Sequence, residues 1–215
     1  VPVLAIDTSS AAVSAAVVSV DGEVLAQRMT IDARAHGELL APSIAACLDD
    51  AGIAPHGLAA IVAGVGPGPF TGLRVGLVTA AAMADALGIP AYGVCSLDAL
   101  AAAVEADSLL VATDARRREV YWARYAGVRV EGPSVDKPAE LSTVDVQAMT
   151  GAGARLYADV LGLPLLDIDY PDLPSLVRLA ASKIRSRAPG DALTPLYLRR
   201  PDAVVPGTAK AVTRR

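Results

Sequence analysis

The sequence predicts an α/β fold of two lobes, each built from three strands followed by helices and further strands. Two sets of short apolar segments carry this prediction. The first set opens the chain, at 3–7, 12–19 and 23–30. The second set begins half-way along it, at 108–116, 119–127 and 128–132. Because the first segment of each set contains an aspartate at its end or close to it, Asp7 or Asp114, we interpret the chain as an internal duplication of a three-stranded unit.

The first unit continues with a helix and a strand. A hairpin is predicted at Asp21-Gly22, since Asp-Gly between two apolar runs is a strong turn signal. Segment 36–52 carries apolar residues at helical spacing and ends in Gly52, which favours a helix stop. The continuous apolar run at 58–66 is typical of a strand that is covered on both faces.

A second long helix and a fifth strand complete the first unit. We expect the helix to run from Thr71, as its N-cap, to Leu87, because Gly88 is a helix stop. The fifth strand is predicted at 91–96. The first lobe is therefore predicted over residues 1–100.

The second unit departs from the first after its three strands. Residues 133–174 are rich in proline, aspartate and glycine, and the next helix is predicted at 175–187. We expect a smaller second lobe over 101–200, followed by a flexible tail at 201–215. Such a unit, present twice with an aspartate ending the first strand, is the layout of the actin-like (ASKHA, ribonuclease H-like) ATPases. This likeness of fold does not establish an activity.

The composition favours a soluble, cytoplasmic protein that needs no cross-links. The chain has 215 residues, a formal net charge of −4, 53% hydrophobic residues and 4% aromatic residues. This charge argues against a surface devoted wholly to nucleic acid. Cys47 and Cys95 stand alone, which is typical of reduced, buried thiols. We expect no membrane contact, because no basic leader is evident and no apolar run approaches the roughly 18 residues of a span.

A loop rich in glycine and proline precedes the second helix, with the sequence GVGPGPFTG at 64–72. It matches neither the Walker A pattern, which needs a lysine after its last glycine, nor the dinucleotide-binding pattern G-x-G-x-x-G. Pro67 and Pro69 also remove two backbone N–H donors from the loop. The sequence therefore argues against a phosphate cradle here.

Small residues recur at every fourth position from this loop onward, at Gly72, Gly76, Ala80, Ala84 and Gly88. Such a ridge lets a second helix approach to backbone contact. We expect the ridge to face a partner protein. The alternative is that it packs on the sheet of its own lobe or on the preceding helix.

Asp7, Thr8 and Ser9 would hold a metal ion and phosphate groups in an ATPase of this layout. Their turn has no glycine to bring its backbone close to a phosphate, so capping and turn roles are favoured. An actin-like ATPase or small-molecule kinase that uses Asp7 and Asp114 across a cleft remains the alternative function. A peptidase is not supported, because the two histidines offer no nucleophile–base pair.

Arg116, Arg117 and Arg118 form a local cluster of positive charge in an acidic chain. With Trp122 and Tyr125 after them, they could contact RNA or a partner protein. The alternative is that they are solvated charges in a turn.

Four motifs, in this order and spacing, strongly resemble the bacterial TsaB family, also called YeaZ. They are VLAIDTS at 3–9, GPGPFTGLRVG at 66–76, DARRREVYWARY at 114–125 and PLYLRR at 195–200. The resemblance covers essentially the whole chain. It implies an actin-like protein of two lobes that is a non-catalytic relative of the enzyme TsaD.

The resemblance also implies partners. Members of the family pair with TsaD and with the small ATPase TsaE to make threonylcarbamoyladenosine in tRNA, and similar surfaces form a homodimer without TsaD. The isolated chain is then expected to need no cofactor, and ATP or ADP would bind at an interface within the complex. Contact with tRNA would be indirect, through the complex.

The surface implied for TsaD lies on the two predicted helices of the first lobe. Its implied residues are His36, Leu39, Leu40, Gly72, Leu73, Arg74, Gly76 and Ala80. The catalytic relative carries an H-x-x-x-H metal pair on its first long helix, whereas Leu40 lies one turn after His36 here. The resemblance therefore implies an assembly subunit that binds no metal and activates TsaD.

Overall fold

The chain forms two β-sheets and six α-helices within residues 1–199, which a computed structural model describes. The flexible tail expected at 201–215 lies outside these residues. The mixed α/β architecture that the sequence predicts is confirmed, with one sheet in each lobe.

The first lobe is built on a five-stranded sheet. Its strands are β1 (Pro2–Asp7), β2 (Ala12–Ser19), β3 (Val24–Ile31), β4 (Ala60–Gly64) and β5 (Ala91–Val94). They lie in the order β3-β2-β1-β4-β5, with β1 antiparallel to β2 and parallel to β4. All five predicted strands are confirmed. The central position of β1 explains why it is buried on both faces.

Helices cover both faces of this sheet. On one face, α1 (His36–Ala51) and α2 (Phe70–Leu87) share a core with Leu4 and Ile6 of β1. On the other face, α6 (Leu173–Arg185) packs against the opposite side of the same strand.

The start of α2 differs from the prediction. Pro69 is its N-cap residue, and the helix begins at Phe70, so the assignment of Thr71 as N-cap is wrong. Proline fixes an extended conformation just before the helix, which sets the start without a side-chain cap. Gly88 ends the helix at a φ of 65°, as predicted, because this left-handed conformation favours glycine.

The second lobe repeats the first in reduced form. Its strands are β6 (Leu109–Asp114), β7 (Val120–Ala126), β8 (Val128–Asp136) and β9 (Ala148–Thr150), in the order β8-β7-β6-β9. A 3₁₀ turn at Pro138–Glu140 stands where α1 stands in the first unit. Leu165 forms a parallel β-bridge with Met149 at the outer side of β9, where the first sheet has its fifth strand. The duplication and the reduced second lobe are confirmed.

Three short helices follow the last strand of the first sheet. They are α3 (Ser96–Ala101), α4 (Ala152–Leu156) and α5 (Ala158–Leu161). The longer α6 belongs in sequence to the expected second lobe, yet its buried side chains pack on the five-stranded sheet. The chain after α6 also returns to the first lobe, because Leu196 N–H donates to the Val65 carbonyl at 2.8 Å. The first lobe is thus assembled from both halves of the sequence.

The ridge of small residues on α2 faces the inside of its own lobe. Gly72, Gly76, Ala80 and Ala84 are buried in the single chain. The Thr8 hydroxyl donates to the Gly72 carbonyl (2.8 Å) and accepts from the Gly76 N–H (3.1 Å), two groups that an α-helix joins directly. The expectation that this ridge faces a partner is therefore wrong, and its alternative, packing within the lobe, is correct.

By length and composition alone, α2 could cross a membrane, contrary to the sequence-based expectation. No other helix among residues 1–199 meets that test. One such helix is weak evidence, because core helices of soluble proteins have the same length and hydropathy. The composition of α2 instead reflects two apolar sides, one that packs on the sheet and one that is exposed.

Gly76→Ala should lower the free energy of unfolding by about 1–3 kcal/mol, because its methyl group would overlap the Thr8 hydroxyl. Gly37→Ala in α1 is the matched control, since a Cβ there meets no atom within 4 Å. The control should raise the free energy of unfolding by up to about 1 kcal/mol through helix propensity. Urea denaturation measures both, and equal effects would contradict the contact.

Candidate functional site

The turn between β1 and β2 is enclosed by the glycine-rich loop and the first turns of α2. Four glycines face it, at Gly64, Gly68, Gly72 and Gly76. A Cβ at Gly64 would overlap the Asp7 carboxylate, and one at Gly68 would overlap the Ser9 carbonyl. The glycines therefore permit close packing of the loop on the turn.

Asp7 lies at the carboxyl end of β1 and is buried. Its Oδ1 accepts hydrogen bonds from the Ser9 N–H (2.9 Å) and hydroxyl (2.8 Å), and its Oδ2 accepts one from the Ser96 hydroxyl (2.6 Å). Burial raises the pKa of Asp7 above its ordinary value of 3.8, and the hydrogen bonds from Ser96 and Ser9 oppose this shift. Both carboxylate oxygens thus have partners inside the chain, as does the Thr8 hydroxyl.

Most residues that the resemblance places at the partner surface lie inside the first lobe. The buried ones are His36, Leu40, Gly72, Leu73, Gly76 and Ala80. Leu39 is half-buried, and Arg74 is exposed. The Nε2 of His36 donates to the Ser10 carbonyl at 2.9 Å. Six of the eight implied residues therefore lie inside the lobe. For the four on α2, the close approach of that helix to the β1–β2 turn fixes which side faces inward.

The outward face of α1 and α2 carries small and apolar side chains instead. Exposed residues on it include Thr71, Arg74, Val78, Ala81, Ala82 and Asp85 of α2, and Ala41, Pro42 and Ala45 of α1. Val78 is 66% exposed. The α2 residues recur at intervals of three and four, which places them on one side of the helix. Sequence reasoning missed this second stripe because the glycine ridge beside it was taken as the contact surface.

A cavity of about 480 Å³ lies between the two lobes. Residues of both lobes line it, among them Ser10, His36, Phe70, Thr71, Gly72, Thr113, Asp114 and Arg116. Asp114 lines this cavity, whereas Asp7 is buried and does not line it. Over the described residues 1–199, no three His, Cys, Asp or Glu side chains are placed to hold a metal ion.

The turn from β6 to β7 holds three arginines in the left-handed conformation. The φ angles of Arg116, Arg117 and Arg118 are 59°, 54° and 61°, and all three residues are exposed. Each left-handed residue costs roughly 1–2 kcal/mol relative to the right-handed form. Trp122 and Tyr125 are buried, so they do not provide the aromatic surface that was expected beside this cluster.

Comparison with known proteins identifies one family. A family model described as "TsaD: tRNA N6-adenosine threonylcarbamoyltransferase" matches residues 23–203. An uncharacterized protein of Mycobacterium tuberculosis (strain H37Rv) is 50% identical over 94% of this chain and 93% of its own length. An uncharacterized protein of Mycobacterium leprae (strain TN) is 51% identical over 94% of this chain, but the match covers 55% of that longer protein.

Two further similarities carry family names. The tRNA threonylcarbamoyladenosine biosynthesis protein TsaB of Bacillus subtilis (strain 168) is 37% identical over 57% of this chain and 54% of its own length. A crystal structure from Pseudomonas aeruginosa, described as an uncharacterized protein with similarity to peptidase YEAZ, superposes with a TM-score of 0.78 at 30% identity. That match covers 92% of this chain and 99% of the other. The chain thus spans about half the length of the M. leprae relative, and the match to the B. subtilis relative covers about half of each chain.

Burial of Asp7 predicts how stability depends on pH. Because its folded-state pKa lies above 3.8, Asp7 contributes stability that is present below that pH and is lost as the pH rises through the folded-state pKa. Asp7→Asn should remove this loss, so the free energy of unfolding should change less with pH between 3.8 and the folded-state pKa of Asp7. Urea denaturation between about pH 4 and pH 8 measures the profile. Asp107→Asn, at an exposed position, is the control and should keep the wild-type slope.

Proposed function

The chain belongs to the TsaB (YeaZ) family, within the wider family that the TsaD model describes, and we propose that it is a non-catalytic assembly subunit. In this proposal it acts in tRNA threonylcarbamoyladenosine biosynthesis, the process for which its B. subtilis relative is named. It binds the catalytic subunit TsaD and holds that subunit in an active conformation. The transfer reaction itself takes place in TsaD.

The observation that carries this proposal is the apolar outward face of α1 and α2. Only 33% of α2 is buried in the single chain, although most of its residues are apolar. Val78 lies near its centre, and Ala81 and Ala82 follow one turn later. Exposed apolar faces mark protein–protein contacts, and small side chains let another pair of helices approach closely. Arg74 and Asp85 lie towards the two ends of the face. Their opposite charges favour one orientation of the docked partner over the reverse one.

The arrangement of Asp7 supports a role without catalysis by this chain alone. An actin-like ATPase or kinase would use Asp7 and Asp114 across the cleft, but Asp7 is buried and bonded to Ser9 and Ser96. A peptidase is disfavoured by His36, whose Nε2 donates to a carbonyl rather than activating a hydroxyl.

The proposal includes the further partners that the resemblance to the TsaB family implies. Without TsaD, two copies of the chain pair through the outward face of α1 and α2 to form a homodimer. TsaE joins the complex of this chain with TsaD, and ATP or ADP binds at an interface there. The complex works in the cytoplasm, and tRNA reaches this chain through it.

Val78→Asp should abolish docking while the chain stays folded. An unpaired carboxylate buried between helices costs on the order of 3–5 kcal/mol. That cost corresponds to at least a hundredfold weaker binding. Co-purification with TsaD and the solution mass of the chain alone measure heterodimer and homodimer formation.

Val128→Asp is the matched control for this experiment, because Val128 is 71% exposed on β8 in the other lobe. It should leave both assemblies intact. The docking surface would be refuted if Val78→Asp still co-purified with TsaD at the wild-type level. Micromolar binding of Mg-ATP by the lone chain, with turnover that Asp7→Ala removes, would favour the ATPase instead.

A further inference from the structure

Arg74, on the outward face of α2, is held in place by two aromatic side chains. Its Nε donates to the Tyr197 hydroxyl at 3.0 Å, and its Cζ lies 3.7 Å from the centroid of the Phe70 ring. The two rings pack against each other, with their centroids 5.0 Å apart. No hydrogen bond within residues 1–199 uses the terminal nitrogens of Arg74. The guanidinium is therefore fixed, while its terminal nitrogens stay available for a carboxylate.

Asp85 carries the opposite charge on the same side of α2. About three helical turns separate it from Arg74, so the two residues lie about 16 Å apart along the helix axis and cannot pair with each other. Both are exposed. Asp85 forms no hydrogen bond or ion pair within the part of the chain that the structure describes. The face thus presents one unneutralised charge of each sign.

These two charges lie symmetrically about the centre of the face. Val78 and Ala81 flank that centre, and Arg74 and Asp85 lie at equal distances beyond them. In a two-fold dimer, residue i of one copy contacts residue j of the other, and j contacts i. If two α2 helices pack antiparallel about this centre, Val78 faces the second copy's Ala81. Arg74 then faces the second copy's Asp85, and this pair occurs twice.

A depression beside Asp85 matches the aromatic pair in shape. It has a volume of about 550 Å³ and lies between the end of α2 and the chain after α6, with Asp85, Ile89 and Leu193 among its lining residues. Phe70 is 44% exposed and Tyr197 is 37% exposed. Phe70 and Ile89 are also placed symmetrically about the centre of the face. The two-fold rotation reverses the helix but keeps the side next to the chain after α6 together in both copies. The aromatic pair of one copy therefore meets the depression of the other.

We propose that two copies of the chain pair through antiparallel α2 helices, with Arg74 of each copy bound to Asp85 of the other. The Phe70 and Tyr197 rings of each copy sit in the depression of the other. This pairing rests on the homodimer of the proposed function, and it adds the register of the two helices and the residues that specify it. Arg74 determines the orientation, because parallel helices would place Arg74 against Arg74 and Asp85 against Asp85. Tyr197 is a positioning residue that acts through the Arg74 guanidinium.

Charge reversal of each residue, alone and in a mixture, tests the register. In Arg74→Asp, and likewise in Asp85→Arg, both pairs between the copies become like-charge pairs. Each variant should therefore dimerise roughly tenfold more weakly than the wild type, or worse. An equimolar mixture of the two variants should restore wild-type dimerisation, because a heterodimer regains both opposite-charge pairs. Sedimentation equilibrium of the full chain over a range of concentrations measures each dissociation constant.

Arg187→Asp and Asp159→Arg are the matched controls, because they make the same changes of net charge away from the face. Arg187 follows α6, which covers the opposite face of the first sheet, and its φ of 51° is one that aspartate tolerates. Asp159 lies on α5 in the second lobe. Both residues are exposed. Neither variant alone, nor their mixture, should change the dissociation constant of the dimer.

Tyr197→Phe tests the positioning role. It keeps the ring against Phe70 and removes the hydroxyl that holds the Nε of Arg74, so it should weaken dimerisation by roughly threefold to tenfold. In an Arg74→Gln background the same change should have no further effect, because the group that Tyr197 positions is absent. Equal effects in the two backgrounds would show that Tyr197 contributes packing alone and would count against the positioning role.

The results distinguish this pairing from docking to TsaD. The register is overturned if the mixture of Arg74→Asp and Asp85→Arg dimerises no better than either variant, or if both variants dimerise as the wild type does. A wild-type chain that stays monomeric at every concentration also overturns it. None of these results affects docking to TsaD, which co-purification with the wild type measures. Failure of that co-purification would contradict the proposed function, while recovery of the dimer in the mixture would still support the register.

Discussion

The β1–β2 turn of this protein lies so close to the next loop and helix that a Cβ at any of four facing positions would crowd or overlap it. Those positions are Gly64, Gly68, Gly72 and Gly76. The contact lets the Thr8 hydroxyl bridge the first turns of α2, and it lets Asp7 be buried with both oxygens hydrogen-bonded. Because α2 is held by this contact along one side, its orientation on the sheet is fixed. The side of α2 that faces solvent is then also fixed.

The proposed function follows from the two consequences of that packing. Burial of Asp7 removes from the cleft a carboxylate that an ATPase of this layout would use. The same packing turns an apolar face of α2, with Val78 at its centre, towards solvent beside α1. The Asp7 carboxylate is thus enclosed within the lobe, and the apolar face of α2, which suits helix packing, is left exposed.

Local patterns in the sequence predicted the elements well, because apolar periodicity and glycine stops act over a few residues. The five strands of the first sheet and the end of α2 at Gly88 were predicted on that basis. The direction of the glycine ridge was not, since its partner, Thr8, is 64 residues away from Gly72 in sequence. A ridge of small residues predicts that something approaches closely, but it does not identify what approaches. The packing of α6 on the first sheet was not predicted for the same reason, because the helical pattern of α6 does not specify which sheet it covers.

Hydrogen–deuterium exchange of the chain, alone and mixed with TsaD, tests most directly that the β1–β2 turn is closed within the lobe while the outer helix face receives the partner. Peptides covering 7–11 and 64–70 should be protected in the chain alone and change little on mixing. At a chain concentration low enough to keep the homodimer dissociated, peptides covering 71–86 and 37–50 should gain protection only when TsaD is added. Strong exchange at 7–11 that Mg-ATP suppresses, together with no change in α1 and α2 on mixing, would contradict this description of the molecule.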